Sequence, residues 1–266
     1  MIVDQQASLF AADGVRIHAV HRVATDRSSN IAFVVVHGFT GNQSQPRVVK
    51  VTDELRDFGG VVSLDLRGHG KSGGSCTVGM DEVLDVTAAV AWARRLGYRH
   101  VVTVGFSMGG SVVVRQGAIF REARDRADVV VSVSAPAFWY YRGTGVMRFV
   151  HHMVLTRTGR ALVRARRVRV GSRPWPTPPP LAPADAAAIF GHTPLLIVHG
   201  TVDRYFPLEH PRALYRAAIN GGSHESDLWI IDGFDHAESA IERSTVRQIG
   251  AWASERVLAQ AKGMES

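Results

Sequence analysis

The stretch Val101-Val102-Thr103-Val104-Gly105-Phe106-Ser107-Met108-Gly109 decides the fold of this chain. Its first four residues are mostly β-branched and predict a buried parallel strand. The residues after it predict a sharp turn and then a helix over residues 111–119 that packs back on the strand. Side chains two positions before and after Ser107 would collide at such a turn, which explains the glycines at 105 and 109. The pattern predicts a nucleophilic serine whose hydroxyl stands clear of the sheet, beside a helix N-terminus that favours negative charge.

The Gly-x-Ser-x-Gly spacing is weak evidence when it stands alone. It occurs by chance in about one chain in ten of this size. The alternative interpretation is a glycine-rich turn with a surface serine. The nucleophile interpretation therefore depends on the strand before it, the helix after it and catalytic partners elsewhere in the chain.

The bulk composition is that of a globular protein. The chain has 266 residues, which is long enough for one large α/β domain or two small ones. Of these residues, 45% are hydrophobic and 21% are charged. The N-terminal residues lack the basic and apolar regions of a signal peptide, and no apolar run is long enough for a membrane span. A single cysteine, Cys76, excludes an intramolecular disulfide and favours a reducing compartment. We expect a cytoplasmic protein in which Cys76 has no chemical role.

Strands alternate with helical segments along the chain. Residues 7–23 predict a hairpin, and the alternation of apolar and polar residues in its second strand predicts a sheet edge with one face in water. Apolar runs then predict strands over 31–36, 61–65, 101–104, 129–134, 194–200 and 227–231, and helices over 47–58, 80–96, 209–220 and 237–260. This alternation predicts an α/β fold in which helices cover both faces of a mostly parallel central sheet.

Polar residues of catalytic type follow several predicted strands directly. Because the carboxyl ends of parallel strands lie at one edge of a sheet, these residues are expected to gather there. They are His37, Asp65, Ser107, Asp203 and His236.

The segment 137–193 interrupts the alternation and is far longer than an ordinary connection between strands. It opens with four aromatic residues, 138–141, and closes with a proline-rich run over 174–183. We interpret it as a cap inserted between two late strands, with residues 1–136 and 194–266 forming the core. Within the cap, Leu155, Leu162 and Val163 are expected to dock a helix onto the core.

The positive charge of the chain is concentrated in this cap. The cap contains nine arginines and one acidic residue, whereas the whole chain has a net charge of +7, so the core is nearly neutral. This distribution argues against a general nucleic-acid-binding surface. Four of the arginines form a helical stripe, which is either a solvated charged face or a surface that attracts an anionic substrate or membrane. The stripe consists of Arg157, Arg160, Arg164 and Arg167.

The serine needs a base, and the base needs an acid that holds its tautomer. His236 follows a predicted strand and precedes the last helix, and Asp203 lies in the loop after the strand at 194–200. The chain order Ser, Asp, His is one of the known arrangements of such a triad. Asp232 and Asp235 are the alternative acids, but neighbours of His236 in a tight loop rarely reach the far side of its ring.

Several other histidines are expected to have structural roles. His37 and His69 lie in glycine-rich loops and are expected to hydrogen-bond within them, while His199 ends a strand and is expected in the core. His151 and His152 lie in the cap, where contact with substrate is the alternative to a solvent-facing position. No histidines and acidic residues stand at the spacing of zinc proteases, so we expect no metal and no cofactor.

An acyl transfer also needs two donors for the oxyanion. The backbone amide of Met108, directly after the nucleophile, is the first, and the amide of Phe39, after the strand at 31–36, is the second. The aromatic opening of the cap predicts an apolar acyl pocket. We expect Trp139, Tyr140 and Phe206 to contact the substrate.

Taken together, these segments resemble the α/β-hydrolase superfamily over nearly the full chain. The matching pieces are His37-Gly38-Phe39, Asp65-Leu66-Arg67-Gly68-His69-Gly70-Lys71-Ser72, Gly105-Phe106-Ser107-Met108-Gly109-Gly110, His199-Gly200-Thr201-Val202-Asp203 and Phe234-Asp235-His236. The chain looks most similar to the esterase, monoacylglycerol-lipase and serine-aminopeptidase-like branch with an inserted cap. The resemblance implies the same triad and the same two oxyanion donors. It disfavours the dehalogenases and epoxide hydrolases of the superfamily, whose nucleophile is an aspartate.

The predicted function is hydrolysis of a small-molecule carboxylic ester through an acyl-serine intermediate. Hydrolysis of thioesters or peptides by the same triad is the closest alternative, and the arginine stripe gives some support to a phosphate-bearing substrate such as an acyl-CoA. A ligand-binding receptor with residual hydrolase activity is the alternative from a different class.

Overall fold

The computed structural model describes residues 4–122, 124–172 and 176–263, and within them eight strands form one sheet. The strands are β1 (Gln5–Phe10), β2 (Arg16–Arg22), β3 (Ile31–Val36), β4 (Gly60–Leu64), β5 (His100–Phe106), β6 (Val129–Val133), β7 (Leu195–Gly200) and β8 (Asp227–Ile231). Their order across the sheet is β1-β2-β4-β3-β5-β6-β7-β8. β2 pairs antiparallel with β1 and β4, and all other pairs are parallel. The predicted mostly parallel sheet is confirmed.

Helices cover both faces of this sheet. They are α1 (Pro46–Leu55), α2 (Glu82–Arg95), α3 (Met108–Ile119), α4 (Gly145–Leu155), α5 (Arg157–Ala165), α6 (Pro183–Ala187), α7 (Glu209–Asn220), α8 (Ala237–Ala240) and α9 (Arg243–Gly263). α2, α3, α6 and α7 pack on one face, whereas α1 and α9 pack on the other. None of the helices in the described ranges is both long and apolar enough to cross a membrane.

β3 shows why the central strands are apolar without interruption. Successive side chains of a strand point to opposite faces, so a strand covered on both sides must be apolar at every position. Ala32, Val34 and Val36 belong to the core beneath α2 and α3, while Phe33 and Val35 belong to the core beneath α1 and α9. All six residues of the strand are buried.

The second strand of the hairpin departs from the prediction. β1 is the edge strand, and β2 lies inside the sheet between β1 and β4 with both faces covered. Two polar residues of β2, His18 and His21, are buried, whereas Arg16 at the start of the strand is exposed. The ring of His21 hydrogen-bonds the hydroxyl of Tyr98 at 2.8 Å and meets the edge of Trp92, and His18 is likewise buried.

The predicted last helix is two helices. Ile241 is extended and ends α8 after one turn, and its side chain is buried with Ala237 in the core beneath α1 and α9. The break separates a short turn directly after His236 from the long helix α9.

The connection between β6 and β7 contains α4, α5 and α6. α6 is partly buried against α3 and α7, whereas α4 has no fully buried residue. Val163 docks α5 as predicted, but Leu155 and Leu162 do not, since 56% and 61% of their surfaces are exposed. The division into a core and a cap at residues 137 and 193 stays a prediction.

The chain reverses its direction across the sheet at β3, because β4 lies on one side of β3 and β5 on the other. Loops at the carboxyl ends of the two strands separate at such a point and leave a crevice. The loops after β3 and β5 contain Phe39 and Ser107. The topology therefore places the predicted nucleophile at the crevice.

Candidate active site

Ser107 occupies a strained turn between β5 and α3. Its φ of 52° and ψ of −117° lie outside the conformations that side-chain-bearing residues ordinarily adopt. The turn is so tight that no side chain fits two positions before or two positions after Ser107. A Cβ added at Gly105 would lie 2.2 Å from the carbonyl oxygen of Gly109, and a Cβ at Gly109 would lie 2.5 Å from that of Val36. The amide of Ser107 donates to Val133 at 2.8 Å, which ties the turn to β6.

His236 lies between Ser107 and Asp203. Its Nε2 is 2.8 Å from the hydroxyl oxygen of Ser107, and its Nδ1 is 2.8 Å from Oδ2 of Asp203. An ionised carboxylate only accepts hydrogen bonds, so Nδ1 carries the proton and Nε2 is free to accept the proton of the serine. The structure thus brings together the three residues that the sequence predicts as a triad, from loops after three different strands.

Asp203 is held by more than the imidazole. Its Oδ1 accepts hydrogen bonds from the amides of Tyr205 at 2.8 Å and Phe206 at 3.1 Å, and its side chain is completely buried. Burial acts to raise the pKa of Asp203, but the hydrogen bond and charge of His236, the charge of His199 and the amide of Phe206 outweigh it. The net effect lowers the pKa and keeps the carboxylate ionised.

The alternative acids point elsewhere. Oδ2 of Asp235 pairs with Arg204 at 2.7 Å on the surface, and Oδ1 of Asp232 accepts from the hydroxyl of Thr201 at 2.9 Å. Of the three aspartates, Asp203 is therefore the one whose carboxylate contacts Nδ1 of the imidazole.

The backbone amides of Phe39 and Met108 flank Ser107. Neither the amide of Phe39 nor that of Met108 donates a hydrogen bond to another group in the part of the chain that the structure describes. The amide of Gly38, by contrast, donates to Oε1 of Glu238 at 3.3 Å. A Cβ at Gly38 would lie 3.2 Å from the Cβ of Ser107, so this glycine permits close approach of the loop to the serine. The free donors are the pair that the sequence predicts for the oxyanion.

The loop after β3 is held by His37. Its Nδ1 donates to the carbonyl of Gly38 at 2.8 Å, and its Nε2 accepts from the amide of Leu66 at 3.1 Å. Burial lowers the pKa of His37 to about 4, so the ring is neutral and can accept at one nitrogen while donating at the other. His69 bonds the carbonyl of Arg67 in the same region. Both histidines have the loop-supporting contacts expected from the sequence.

A cavity of about 720 Å³ opens beside Ser107 and His236. The residues predicted to contact substrate, Trp139, Tyr140 and Phe206, all line it. Much of the remaining wall comes from α4, a helix that the sequence reasoning did not assign to the site. The apolar run within residues 145–155 was the available signal, and its cavity-lining members are Val146, Met147, Phe149, Val150, Met153, Val154 and Leu155.

Other histidines and charged residues border the site. His151 lines the cavity and bonds the carbonyl of Tyr141 at 3.0 Å, whereas His152 is exposed and lies away from the cavity wall. His199 is buried and bonds the carbonyl of Phe206 at 2.9 Å. Sequence reasoning assigned no role to Arg47 and Glu238, which also line the cavity. The expected absence of a metal and a cofactor stays a prediction.

Residues 33–252 match the model of the alpha/beta hydrolase family. The chain belongs to this family. The α/β-hydrolase fold explains both the switch in strand order at β3 and the strained serine turn after β5. Because the family consists of hydrolases, this membership supports hydrolase activity for the chain.

Individual relatives and solved structures agree with this assignment. The chain is 27% identical to the human protein ABHD12B over 229 residues, which are 79% of this chain and 57% of that protein. It thus spans a little over half the length of this curated relative. The esterase Pf2001 of Pyrococcus furiosus superposes with a TM-score of 0.74 at 21% identity, covering 96% of this chain and 93% of that chain. Est1E of Butyrivibrio proteoclasticus, solved with ferulic acid, has a TM-score of 0.67 at 20% identity, covering 96% and 100%. At these identities the two structures show a shared fold.

Proposed function

We propose that this α/β hydrolase is a serine esterase that cleaves carboxylic esters through an acyl-serine intermediate. The observation that carries the proposal is the unbroken hydrogen-bonded chain from Ser107 through His236 to buried Asp203, at the wall of a largely apolar cavity. The fold shared with the esterase Pf2001 is consistent with it.

The proposed reaction follows from the hydrogen bonds. Oγ of Ser107 attacks the ester carbonyl carbon while its proton passes to Nε2 of His236. The carbonyl oxygen becomes an oxyanion and accepts hydrogen bonds from the amides of Phe39 and Met108. His236 then returns the proton to the departing alcohol, which leaves Ser107 acylated. Water then loses a proton to Nε2 of His236 and attacks the acyl carbon, and the imidazolium returns that proton to the departing Oγ, which releases the acid and regenerates Ser107.

The cavity supports an apolar acyl group. Its wall combines the aromatic residues after β6 with the aliphatic and methionine side chains of α4. We propose that residues 137–193 act as a cap that encloses the acyl group of the substrate. Trp139 is fixed for that role, since its indole N–H donates to the carbonyl of Pro180 at 2.6 Å and its ring faces Arg115.

A series of p-nitrophenyl esters of increasing acyl length tests the proposal, with Ser107→Ala as the control. We expect turnover that peaks at one chain length and is absent in the variant. Acyl-CoA and aminoacyl anilides are compared at equal concentration, and faster turnover of either one would replace the ester assignment with a thioesterase or a peptidase. No turnover, together with no labelling of Ser107 by a fluorophosphonate, would contradict a serine hydrolase and favour the receptor alternative.

The cap also supports contact with an anionic lipid surface. Phe149 and Leu162 are 62% and 61% exposed, and arginines 157, 160, 164, 166 and 167 surround the second of them in sequence. Exposed apolar side chains among arginines are typical of helices that lie in a membrane interface. Phe149, Leu155, Arg160 and Arg166 also line the cavity, so a docked cap would present that cavity to the lipid. We propose that the cap binds anionic bilayers in this way.

Sedimentation with phosphatidylcholine vesicles, with and without phosphatidylglycerol, tests the contact. We expect wild-type protein to bind the anionic vesicles, and the variant Arg157→Glu/Leu162→Ser/Arg164→Glu to remain in solution. None of these three residues lines the cavity. The matched control is Arg212→Glu/Arg216→Glu, which reverses two exposed charges on α7. Equal binding by the cap variant, or no binding by wild type, would contradict the proposal.

A further inference from the structure

Glu238 places a carboxylate in the wall of the candidate site. It lies two residues after His236, its side chain is only 6% exposed, and it lines the cavity. Its Oε1 accepts the amide hydrogen of Gly38 at 3.3 Å, across 200 residues of sequence. Oε1 is also 3.5 Å from the position that a Cβ of Gly38 would take, and that position is 3.2 Å from the Cβ of Ser107. The carboxylate therefore lies close to the reacting serine.

The contact restrains the loop that supplies an oxyanion donor. Gly38 precedes Phe39 directly, so fixing the amide of Gly38 restricts the peptide plane next to the amide of Phe39. Glu238 in turn follows His236 at the start of α8. One side chain thus links the loop that donates to the oxyanion with the loop that carries the base.

A negative charge at this place opposes the reaction unless it is balanced. The oxyanion that forms on the substrate would be repelled by an unpaired carboxylate in a largely apolar cavity. Arg47, at the start of α1, supplies the balancing charge, since its Nε lies 3.8 Å from Oε1 of Glu238. Nε of Arg47 is itself oriented by a hydrogen bond to Oε1 of Gln45 at 3.0 Å.

We propose that Glu238 is a positioning residue of the esterase, which holds the amide of Phe39 in place through Gly38, and that Arg47 neutralises its charge. The inference rests on the proposed function, because it concerns the donor to the oxyanion of that reaction. The side chain of Glu238 thus has two distinct properties. Its oxygen accepts the hydrogen bond that positions the loop, and its negative charge must be neutralised.

Glutamine and alanine at position 238 separate these properties. Glu238→Gln keeps an accepting oxygen for Gly38 and loses the charge, so kcat for a neutral ester is expected to stay within about threefold of wild type. Glu238→Ala removes the acceptor, and kcat is expected to fall about tenfold or more with little change in KM, because an oxyanion donor acts in the transition state. The rate of fluorophosphonate labelling of Ser107 should change little in Glu238→Gln and fall in Glu238→Ala.

Arg47 provides the decisive comparison. Arg47→Ala leaves the carboxylate of Glu238 unbalanced, and kcat is expected to fall about tenfold. The double variant Arg47→Ala/Glu238→Gln should recover most of that loss, because the charge that Arg47 balanced is no longer present. A merely structural role of the pair would instead make the double variant at least as impaired as Arg47→Ala.

Glu54→Ala is the matched control. Glu54 lies on the same helix as Arg47, pairs with Arg243 and Arg247, and does not line the cavity. It should leave kcat unchanged. Equal kcat and labelling rates in wild type and Glu238→Ala, or no recovery in the double variant, would overturn the inference. A wild-type protein whose Ser107 neither turns over esters nor reacts with the fluorophosphonate would overturn the inference together with the proposed function, whereas active wild type with unchanged variants would overturn the inference alone.

Discussion

The phenol ring of Tyr205 is stacked on the imidazole of His236. The ring centroids are 4.0 Å apart and the planes are inclined by 22°. The amide of Tyr205 donates to Oδ1 of Asp203, whose other oxygen bonds the same imidazole. Tyr205 therefore restrains the imidazole of His236 by ring contact and the carboxylate of Asp203 by its backbone, and only the first restraint depends on its side chain.

Removing the ring of Tyr205 should loosen His236. We expect Tyr205→Ala to lower kcat about tenfold, because a small displacement of a base from its partner reduces the rate substantially. Tyr205→Phe keeps the stacked ring and should remain close to wild type. Initial rates with a p-nitrophenyl ester provide the measurement. Equal losses in the two variants would show that the hydroxyl, and not the stacking, is what matters.

The assignment of the acid can be tested by comparing two aspartates. Asp203→Asn should reduce kcat by about 10³-fold or more, since an amide in place of the carboxylate no longer favours the tautomer that accepts the proton of Ser107. Asp235→Asn is the matched control on the adjacent loop and should have little effect, because Asp235 pairs with exposed Arg204. A larger loss from Asp235→Asn than from Asp203→Asn would reverse the assignment.

The turn at Ser107 should not tolerate a methyl group at its first glycine. Gly105→Ala places a Cβ 2.2 Å from the carbonyl oxygen of Gly109, so we expect a loss of about 3 kcal/mol or more in the free energy of unfolding. Denaturant unfolding measures the change. Gly145→Ala is the control, since its nearest contact is the end of the Arg148 side chain at 3.8 Å. Similar stability of the two variants would contradict the crowded turn.

Buried histidines should make the protein lose stability in mild acid. Burial lowers the pKa of His37, His69 and His210 from 6.5 to about 4, with the charge of His37 adding to the shift of His69 and the charge of His199 to that of His210. Between these values protons bind the unfolded chain but not the folded one. The free energy of unfolding is therefore highest above pH 6.5 and falls as the pH is lowered towards 4.

His210→Asn tests this pH dependence at one position. An asparagine oxygen can accept the hydrogen bond that Nδ1 of His210 accepts from the amide of Ala137 at 2.9 Å. Urea unfolding between pH 4 and 7 should show a slope shallower by up to about 1.4 kcal/mol per pH unit. His192→Asn changes an exposed histidine and is the control. An unchanged slope in His210→Asn would show that this ring does not contribute.

The cavity should set the preferred acyl length. Val150 on α4 lines it, and Val150→Trp would fill part of its volume. We expect kcat/KM for long-chain esters to fall at least about tenfold relative to the shortest ester. Leu162→Trp enlarges an exposed side chain of the same segment outside the cavity wall and should leave the chain-length profile unchanged. A profile that Val150→Trp does not change would place the acyl chain elsewhere.

The strands of the sheet could be predicted closely because their signal is local. β3 and β8 have the predicted boundaries, as does α7, since the residue pattern that defines each element lies within a few positions along the chain. The neighbour of a strand is not encoded in the same way. β2 has the alternation of an edge strand, yet its position depends on pairing with β4, which lies about forty residues further along the chain.

The residues of the candidate site likewise fall into those that the sequence could predict and those that it could not. Residue types and chain order were sufficient to select Ser107, Asp203 and His236, because each lies directly after a strand of a parallel sheet. They were not sufficient for Arg47 and Glu238, which have no distinctive local pattern and meet only when α1 and α8 pack side by side. The sequence by itself determined the α/β fold and the presence of candidate catalytic residues at the ends of its strands, since both depend on short-range patterns. Tertiary structure alone decided how α4 encloses the cavity and which charges face it, because those contacts join residues that are remote in the chain.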